Sequence, residues 1–307
     1  MPHPRHLSLS TTHRQTKEST MSEAATLVVR RRAECGEGPV WDAPAHVLHW
    51  VDIVRGEILR TDPVSGRTTA AVYPEMVGAV AQRTDGGLVA AVASGFAGFD
   101  AAGEVDHRVD CLPDGIRMND AKVDPRGRFW AGSCAMDFAA GRGGLWMLAP
   151  DWTATRVLDG LTQPNGLDWS PAHDAFYLVE TQARHVLRFA WDADLGTIGS
   201  SPSVLIDADA FSAYPDGLCV DARGHLWVAE YGGGAVHEFT ASGERVRTIP
   251  VPTLQTTSCA FAGPALDELW VTSAAAGIDP SADPDAGSVF VVRDLGATGI
   301  PSTPFGG

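Results

Sequence analysis

The 307-residue sequence lacks any run of about 18 apolar residues, so it predicts no membrane-spanning helix and no membrane partner. Basic residues are also scarce: 23 Lys and Arg stand against 38 Asp and Glu, and the formal net charge is −15. Because phosphate backbones are bound by basic surfaces, this balance argues against nucleic acid as a partner. The surplus of acids permits a cation site but does not by itself predict one.

Motifs for several catalytic schemes are missing as well. The ten His are scattered without a His-Glu-x-x-His pair, and no Gly-x-Ser-x-Gly sequence occurs. The five Cys lack Cys-x-x-Cys spacing and stand at positions 35, 111, 134, 219 and 259. Such a set favours buried free thiols over disulfides, and a reducing, cytoplasmic location. Because no His is paired with Cys134 by motif, a Cys–His nucleophile is not expected.

The N-terminal residues 1–20 are rich in Ser, Thr and His and have no apolar centre of the kind a secretory signal needs. An in-frame Met21 stands just before the first strand candidate. We therefore expect residues 1–20 to be a disordered tail or the product of a start codon placed too early. Residues 21–307 are expected to form a single domain, because one repeat occupies nearly all of that length.

The chain does contain a repeat, whose clearest copy is Pro164-Asn-Gly-Leu-Asp-Trp169 followed by an aromatic strand. Short apolar segments bounded by Gly, Pro and Asp favour strands over helical repeats. Aligned on their second-strand residues, the six copies fall at Leu48, Leu88, Phe129, Phe176, Leu226 and Leu269, with steps of 40, 41, 47, 50 and 43 residues. Repeats of roughly 40 to 50 residues built from short strands are typical of propeller blades. The sequence therefore predicts an all-β, six-bladed β-propeller.

A closed propeller must keep its last sheet from presenting an open edge. Residues 26–31 read as a strand that precedes the first repeat. We predict that this N-terminal strand closes the ring beside the C-terminal blade. The longest polar insertions, 137–144 and 274–287, are predicted to form loops over one mouth of the ring.

The residues that open the repeats are the candidates for chemistry, since the innermost strands of a propeller surround a central channel. These residues are Glu37, Gly78, Asn119, Asn165, Asp216 and Ser258. Four of them carry carboxylate or amide oxygens, which suit one divalent cation such as Ca²⁺, Mg²⁺ or Mn²⁺, with Zn²⁺ in an open catalytic site as an alternative. Asn-Gly and Asp-Gly are also common turn dipeptides, so any single copy is open to a structural interpretation. Their shared register favours the cation site.

Four phrases resemble the family of regucalcin, senescence marker protein and gluconolactonase, the sugar lactonases. They are Cys35-Gly-Glu-Gly-Pro-Val-Trp41, Arg117-Met-Asn-Asp-Ala-Lys-Val-Asp-Pro-Arg-Gly-Arg128, Pro164-Asn-Gly-Leu-Asp-Trp169 and Pro215-Asp-Gly-Leu-Cys-Val-Asp221. The likeness extends over about residues 26–293. It implies a six-bladed propeller with one divalent ion in its channel, and family members characterised as enzymes hydrolyse aldonolactones.

The resemblance also implies roles for individual residues. The family's cation ligands fall on Glu37, Asn165 and Asp216. Hydrolysis of a lactone needs a polarised carbonyl and a nucleophilic water, and a divalent ion assists both. Asp216 is the predicted general base, because it would sit beside the ion and can accept a proton.

Substrate contacts are implied by the same resemblance. The family's substrate-binding Arg and Asn fall on Arg117 and Asn119, and Asp120 matches an aspartate that supports the site. A further substrate contact that is often Glu falls on Asp137, which is one methylene shorter. That change would alter which sugar fits.

Three functions remain open from the sequence. The first is a cytoplasmic, metal-dependent hydrolase, monomeric or weakly dimeric, that opens a small aldono-1,4- or 1,5-lactone such as gluconolactone. The second is an esterase or organophosphatase on the same scaffold, which a more apolar mouth would favour and which Arg117 and Asn119 argue against. The third is a calcium-binding protein without turnover, against which the presence of Asp216 and Arg117 weighs.

Overall fold

The computed structural model describes residues 24–307, so the prediction for residues 1–20 lies outside the described residues. Within 24–307 there are 25 strands, a single 3-10 turn at Ala208–Ala210 and no α-helix. The strands form six antiparallel sheets that follow one another along the chain. This is the predicted six-bladed β-propeller. In the described part of the chain, no helix is long and apolar enough to cross a bilayer.

Each blade is built from strands that are adjacent in sequence, apart from the last. The N-terminal strand is β1 (Thr26–Val29). Blade one contains β2 (Gly36–Asp42), β3 (Val47–Asp52), β4 (Glu57–Thr61) and β5 (Thr68–Val72), and blade two contains β6 (Val77–Gln82), β7 (Leu88–Val92), β8 (Gly95–Phe99) and β9 (Val105–Asp110). Blade three contains β10 (Ile116–Val123), β11 (Phe129–Ala135), β12 (Gly143–Leu148) and β13 (Ala154–Leu161).

The second half of the ring repeats this plan with one addition. Blade four contains β14 (Pro164–Trp169), β15 (Ala175–Glu180), β16 (His185–Asp192), β17 (Thr197–Ile198) and β18 (Ser203–Ile206). Blade five contains β19 (Tyr214–Val220), β20 (Leu226–Tyr231), β21 (Ala235–Phe239) and β22 (Arg245–Pro250), and blade six contains β23 (Thr256–Ala262), β24 (Glu268–Ser273) and β25 (Val289–Val292). The additional strand, β17, is a short hairpin on the end of β16 that the repeat does not predict.

Burial explains why the inner strands carry most of the apolar residues. Each second strand is packed on both faces between neighbouring blades, so β3, β11 and β15 are buried along their whole length. The outermost strands β5 and β9 have at most one face against a neighbour and are largely exposed. The sequence follows this gradient, from continuous apolar runs at the second strand to alternating polar residues at the rim.

The ring closes as predicted, by an N-terminal strand beside the C-terminal blade. β1 pairs antiparallel with β25, with Thr26 opposite Val291 and Leu27 opposite Phe290. It thereby supplies the fourth strand of blade six, in the order β1-β25-β24-β23. The paired segment ends at Val29 rather than at residue 31, and Val29 is buried in the core beneath it.

The two ends of the ring differ. We call the end where all six inner strands begin the entry end; both long polar insertions, 137–144 and 274–287, lie there, as predicted. The opposite end is crossed by the C-terminal segment 298–307, which we call the strap. The strap bridges Asp221 of blade five through Gly299 and Arg83 of blade two through Phe305, and these blades stand opposite each other in the ring. Phe305 is fully buried there against the ring of Trp152.

Candidate cation site in the central channel

Every inner strand contains one extra residue at its entry-end half. The pairing with the second strand skips a residue after Glu37, Val77, Met118, Pro164, Pro215 and Thr256. Such bulges redirect a side chain out of the regular alternation of a strand. In three blades the unpaired residues include Asn119, Asn165 and Asp216, whereas in blade one Glu37 pairs with Val51 and stands immediately before the bulge. All four residues were singled out by the repeat.

One position of the predicted register is wrong. In blade six Thr256 pairs with Ser273 and Ser258 with Thr272, so the unpaired residue is Thr257 and not Ser258. Thr257 is buried, and its Oγ1 donates to the carbonyl oxygen of Gly36 at 2.6 Å. The sequence could not distinguish Thr257 from Ser258, because Ser and Thr are equally plausible at a bulge.

Glycines let the inner strands approach one another around the axis. A Cβ on Gly166 would lie 2.2 Å from the backbone nitrogen of Leu218, and one on Gly217 would lie 2.0 Å from Oγ of Ser258. Distances below about 3 Å leave no room for a side chain, so these glycines are required by contact between neighbouring strands. The Asn-Gly and Asp-Gly pairs are therefore part of the channel wall rather than tight turns.

Two carboxyls share the centre of the channel. Glu37 is 4% exposed and Asp216 is 7% exposed. Burial raises the pKa of Glu37 well above its usual range, and the nearby charges of Asp216 and Asp120 raise it further. Burial likewise raises the pKa of Asp216, with Asp120 adding to the effect and Arg117 opposing it. Two buried acids that repel each other form a place where a positive charge would be stabilised.

Asn165 lies in β14 of blade four, between Asp216 of blade five and Asn119 of blade three. Its Nδ2 donates a short hydrogen bond to Oδ1 of Asp216 and a second one, of 3.2 Å, to Oγ1 of Thr181. Thr181 Oγ1 in turn donates to the carbonyl oxygen of Pro215 at 2.9 Å. The amide is thus held by blades four and five together, against the carboxylate that it would share an ion with.

Arg117 and Asn119 form a connected pair on blade three. Arg117 Nη1 donates to Oδ1 of Asn119 at 2.8 Å and to the carbonyl oxygen of Met118 at 2.9 Å. Asn119 Nδ2 donates to the carbonyl oxygen of Pro164 at 3.0 Å, the residue just before Asn165. The predicted substrate residues are therefore connected by hydrogen bonds to Pro164, the neighbour of the predicted ligand Asn165 in β14.

The two remaining predicted residues have different surroundings. Asp120 is buried, and burial raises its pKa to about 6, while its Oδ1 accepts from the backbone of Ala121 at 2.8 Å. Its charge reaches both Glu37 and Asp216. Asp137 is exposed on the loop after β11 and accepts from the backbone of Ala139 at 3.1 Å. The hydrogen bond found for Asp137 thus stays within its own loop.

Three further acids hold the segments that lead into the ligand-bearing strands. Asp52 accepts from the backbones of Glu34 and Cys35, at 2.8 and 3.1 Å. Glu180 does the same for Thr162 and Gln163, at 2.9 and 2.8 Å, and Glu230 accepts from Ala213 at 2.6 Å.

The positions of these acids follow one rule. Asp52, Glu180 and Glu230 lie opposite Gly36, Pro164 and Pro215, the residues immediately before Glu37, Asn165 and Asp216. Each of the three blades that carry the predicted cation ligands therefore has its own buried acid, which holds the segment that leads into the inner strand. The corresponding residues in the other blades are Val92, Ser133 and Ser273.

The residues at the axis fit a hard divalent cation. Two carboxylates and one amide offer the oxygen ligands that Ca²⁺, Mg²⁺ and Mn²⁺ prefer. The side-chain amide of Asn165 presents its oxygen to an ion after a rotation that exchanges its O and N atoms. Among the ion pairs within 4.0 Å formed by residues 24–307, none involves Glu37 or Asp216, so their charge is left for a ligand to balance.

Another acidic group in the described residues lies outside the channel. Asp221, His225 and Glu238 each bring a ligand atom within 4.8 Å of the others. Their charge is already balanced, because Arg223 bonds both carboxylates and Arg247 bonds Glu238. This cluster holds the turn of blade five through guanidinium groups and does not offer a vacant site.

A chamber of about 210 Å³ lies between the channel site and the strap. Its walls are the halves of the inner strands that follow Glu37, Asn119, Asn165 and Asp216, and its far side is formed by strap residues 300–303. Lys122 reaches into it and pairs with Asp168 at 2.6 Å. Glu37, Asn165 and Asp216 do not line this chamber, so it is distinct from the candidate cation site.

Two residues near the acids were not found from the sequence. Burial raises the pKa of Tyr231 to about 12, and the charges of Cys35 and Asp216 add to the effect. Burial also raises the pKa of Cys35, followed by the charges of Glu37 and Asp216. Both groups are therefore neutral donors beside the acids at neutral pH. Neither occupies a position that the repeat marks, so only the fold could reveal them.

A six-bladed propeller with carboxylate and amide oxygens around its axis defines a class of channel-site propellers. The chain belongs to the SMP-30/gluconolactonase/LRE-like family, whose model matches residues 35–275. It is 36% identical to regucalcin of Bos taurus over 292 residues, covering 91% of this chain and 97% of that protein. It is equally 36% identical to the pentonolactonase XacC of Haloferax volcanii, with 90% of this chain and 96% of the relative covered.

A solved structure agrees with the fold. The calcium-binding protein regucalcin from Agrobacterium tumefaciens superposes with a TM-score of 0.87 at 29% identity. The match covers 92% of this chain and 97% of that one. The family that the four motifs resemble is therefore the family to which the chain belongs.

Proposed function

We propose that this chain hydrolyses an aldono-1,4- or 1,5-lactone, such as gluconolactone, to the aldonic acid with one divalent cation. The observation that carries the proposal is the meeting of two buried acids and an amide at the axis, linked through Pro164 to Arg117 and Asn119. The similarity to a protein named pentonolactonase supports the same chemistry.

Glu37, Asn165 and Asp216 are the proposed ligands of the cation. When bound, the ion supplies Lewis acidity that polarises the lactone carbonyl and lowers the pKa of water. Ca²⁺, Zn²⁺, Mn²⁺ and Mg²⁺ are all candidates, and the carboxylate and amide oxygens favour the harder ions. The Agrobacterium relative described as calcium-binding makes Ca²⁺ the first ion to test.

Asp216 is the proposed general base. It is buried beside the proposed ion, which would keep its carboxylate ionised and oriented for proton transfer. Asp216 takes a proton from water as the water oxygen bonds to the carbonyl carbon. The bond between that carbon and the ring oxygen then breaks, and the ring oxygen receives a proton, which yields the hydroxy acid.

Arg117 and Asn119 are proposed to bind sugar hydroxyls, with Asp120 supporting them from within the wall. Both hydrogen bonds that Arg117 makes to described residues use Nη1, so Nε and Nη2 provide the donors for a ligand. Asp137 on the neighbouring loop is proposed as a further substrate contact. In that role its carboxylate would leave the backbone of Ala139 when substrate binds.

The decisive experiment is acid release from a panel of aldonolactones and one aryl ester, with and without a chelator. We expect release from sugar lactones only, loss of activity with chelator and recovery when a divalent ion is restored. Release confined to the ester would favour the esterase alternative. Ion binding without any release would favour a calcium-binding protein without turnover, the alternative supported by the description of the Agrobacterium relative.

We further propose that the protein works in the cytoplasm as a monomer or a weak homodimer. Its five cysteines are free thiols, as expected in a reducing compartment. Sedimentation at micromolar concentration should give the mass of one chain. A stable higher oligomer would contradict the proposal.

A further inference from the structure

Two cysteines of neighbouring blades are in contact behind the channel site. Cys219 lies in β19 and Cys259 in β23, the inner strands of blades five and six. Their Sγ atoms are 3.8 Å apart, and the Cys259 thiol also lies 3.4 Å from the carbonyl oxygen of Trp227. The remaining cysteines, at positions 35, 111 and 134, belong to other blades.

The closeness of the two thiols is built into the backbone. Gly217 stands two residues before Cys219, and a Cβ at that glycine would lie 2.4 Å from Cβ of Ser258 and 2.7 Å from its Cα. A larger residue at 217 would push β19 and β23 apart. The strand contact that brings the thiols together is thus the same one that closes the channel wall.

A positive charge accompanies the pair. Burial opposes protonation of Lys122, yet the charges of Asp168 and Cys219 outweigh it and raise the pKa of Lys122. Lys122 and Cys219 also line the same chamber, which places the ammonium group near the pair. A neighbouring cation stabilises a thiolate, and the thiolate is the reactive form of cysteine. The hydrogen bond with Cys219 and burial raise the pKa of Cys259.

Access to the pair is restricted by burial. Both cysteines line the chamber of about 210 Å³, and they are only 5% and 3% exposed. The strap residues 300–303 form the far wall of that chamber. A molecule with two heavy atoms, such as hydrogen peroxide, fits such a space.

We propose that Cys219 and Cys259 form a reversible dithiol–disulfide couple that reacts with hydrogen peroxide and, once oxidised, weakens the cation site. The Cys219 thiolate attacks one peroxide oxygen, the O–O bond breaks, and water leaves once the second oxygen is protonated. The resulting sulfenic acid is attacked by the Cys259 sulfur, its S–O bond breaks, and a second water leaves as the disulfide forms. The two thiols lose two electrons and two protons, and the peroxide is reduced to two waters.

Oxidation would displace the strand that carries Asp216. A disulfide needs sulfurs about 2.05 Å apart, so the present separation of 3.8 Å must shorten by about 1.8 Å. Cys219 follows Asp216 by three residues in β19, and Cys259 follows Thr257 by two in β23. The effect on lactone hydrolysis rests on the proposed function, whereas formation of the disulfide does not.

The first test counts thiols in the intact protein. After treatment with hydrogen peroxide and denaturation, we expect two of the five thiols to be lost, with a cross-linked peptide pair containing Cys219 and Cys259. A thiol reductant should restore all of them. Retention of all five thiols, a disulfide between other cysteines, or irreversible sulfinic acids at these two positions would overturn the proposal.

Variants separate the two roles. In Cys259→Ser, peroxide should leave a sulfenic acid on Cys219 that a dimedone probe labels, and no disulfide should form. Lys122→Met should slow oxidation several-fold and Lys122→Arg should restore the rate, because only the charge is required. Cys111→Ser is the matched control, since Cys111 is half-buried outside the chamber, and it should oxidise like the parent protein. If Cys259→Ser does not fold, the wild-type peptide map alone decides the matter.

The second test measures the cation site directly. Calorimetric titration of Ca²⁺ into reduced and oxidised protein should show weaker binding after oxidation, reversed by the reductant and absent in Cys219→Ser. Equal affinity in both states would refute the coupling. If the reduced protein binds the ion but opens no lactone, the proposed function fails while the thiol couple stands. The two failures are therefore distinguishable.

Discussion

Asp216 and Glu37 are both buried at the axis, and neither forms an ion pair among the described residues. Ionisation of the two carboxyls is therefore unfavourable unless a positive charge is bound beside them. A bound cation removes that penalty and, by binding only the folded state, stabilises the protein by an amount that rises with the logarithm of the cation concentration above its Kd. The same two side chains should thus control both stability and turnover.

The corresponding prediction concerns Asp216→Asn and Glu37→Gln. Each variant should lower kcat/KM for the lactone by about 10²–10⁴-fold, the range expected for loss of a positioned base or ligand. Each should also lose most of the rise in Tm that Ca²⁺ gives the parent protein, as measured by calorimetry. Asp62→Asn makes the same chemical change in an exposed turn and should change neither quantity. Full activity in Asp216→Asn would contradict the assignment of Asp216 as the general base.

At the level of residues, the sequence predicts those positions that the repeat brings into register. Glu37, Asn165 and Asp216 are found because a polar oxygen recurs where a blade begins. Thr181 was not found, since it follows a second strand and acts through a hydrogen bond to another blade. The sequence marked Ser258 instead of Thr257 because a single-residue bulge shifts the strand register without changing the composition.

At the level of strands, a close backbone approach fixes the spacing around the axis. A Cβ on Gly166 would lie 2.2 Å from the nitrogen of Leu218 and 2.6 Å from the carbonyl carbon of Gly217, and neither atom can turn aside. Gly166→Ala should therefore lower the free energy of unfolding by about 1–3 kcal/mol and weaken Ca²⁺ binding. Gly199→Ala is the control, since its Cβ would meet Ala190 at an ordinary 3.4 Å, and urea unfolding should show little change.

Glu230 offers a prediction for pH. Burial opposes its charge, but the hydrogen bond from His237 and the backbone of Ala213 outweigh burial and lower its pKa to about 2. A carboxyl whose folded pKa lies below its unfolded value stabilises the protein above the unfolded pKa of about 4.3, and this contribution is lost as pH falls through the folded pKa.

The variant Glu230→Gln should therefore be less stable than the parent at pH 7, by up to about 3 kcal/mol. The difference should shrink as the pH falls from about 4 toward 2, where the parent's carboxyl becomes protonated. Urea unfolding at a series of pH values measures it. Because Glu230 also holds the approach to Asp216, Ca²⁺ affinity should fall too; the exposed Glu244→Gln should leave both unchanged. A difference that is constant with pH would contradict this account.

At the level of the whole molecule, the ring depends on β1. Val29 is 5% exposed in the core, and its burial alone is worth about 1.5–3 kcal/mol. A chain that begins at Met21 should melt at the same temperature as the full chain. Removal of residues 1–29 should lower Tm by several degrees and promote aggregation through the exposed edge of β25. Equal melting of both truncated chains would contradict closure by β1.

The six blades could be predicted because each copy repeats the same apolar spacing, which survives changes in individual residues. The strap could not, because residues 298–307 carry no periodic pattern and gain their place from several blades at once. Arg83 holds the backbone oxygen of Gly307 at 2.8 Å, and Gly306 donates to the carbonyl oxygen of Gly127 at 2.9 Å. Such contacts exist only after the ring has formed.

The strap also affects how small molecules reach the channel. Residues 300–303 lie across the far side of the chamber, so they partly cover the end of the channel opposite the entry end. We therefore expect the proposed lactone to enter, and its acid to leave, at the entry end, near Arg117. An acid held beside Arg117 would exclude the next lactone, so accumulated product should inhibit competitively.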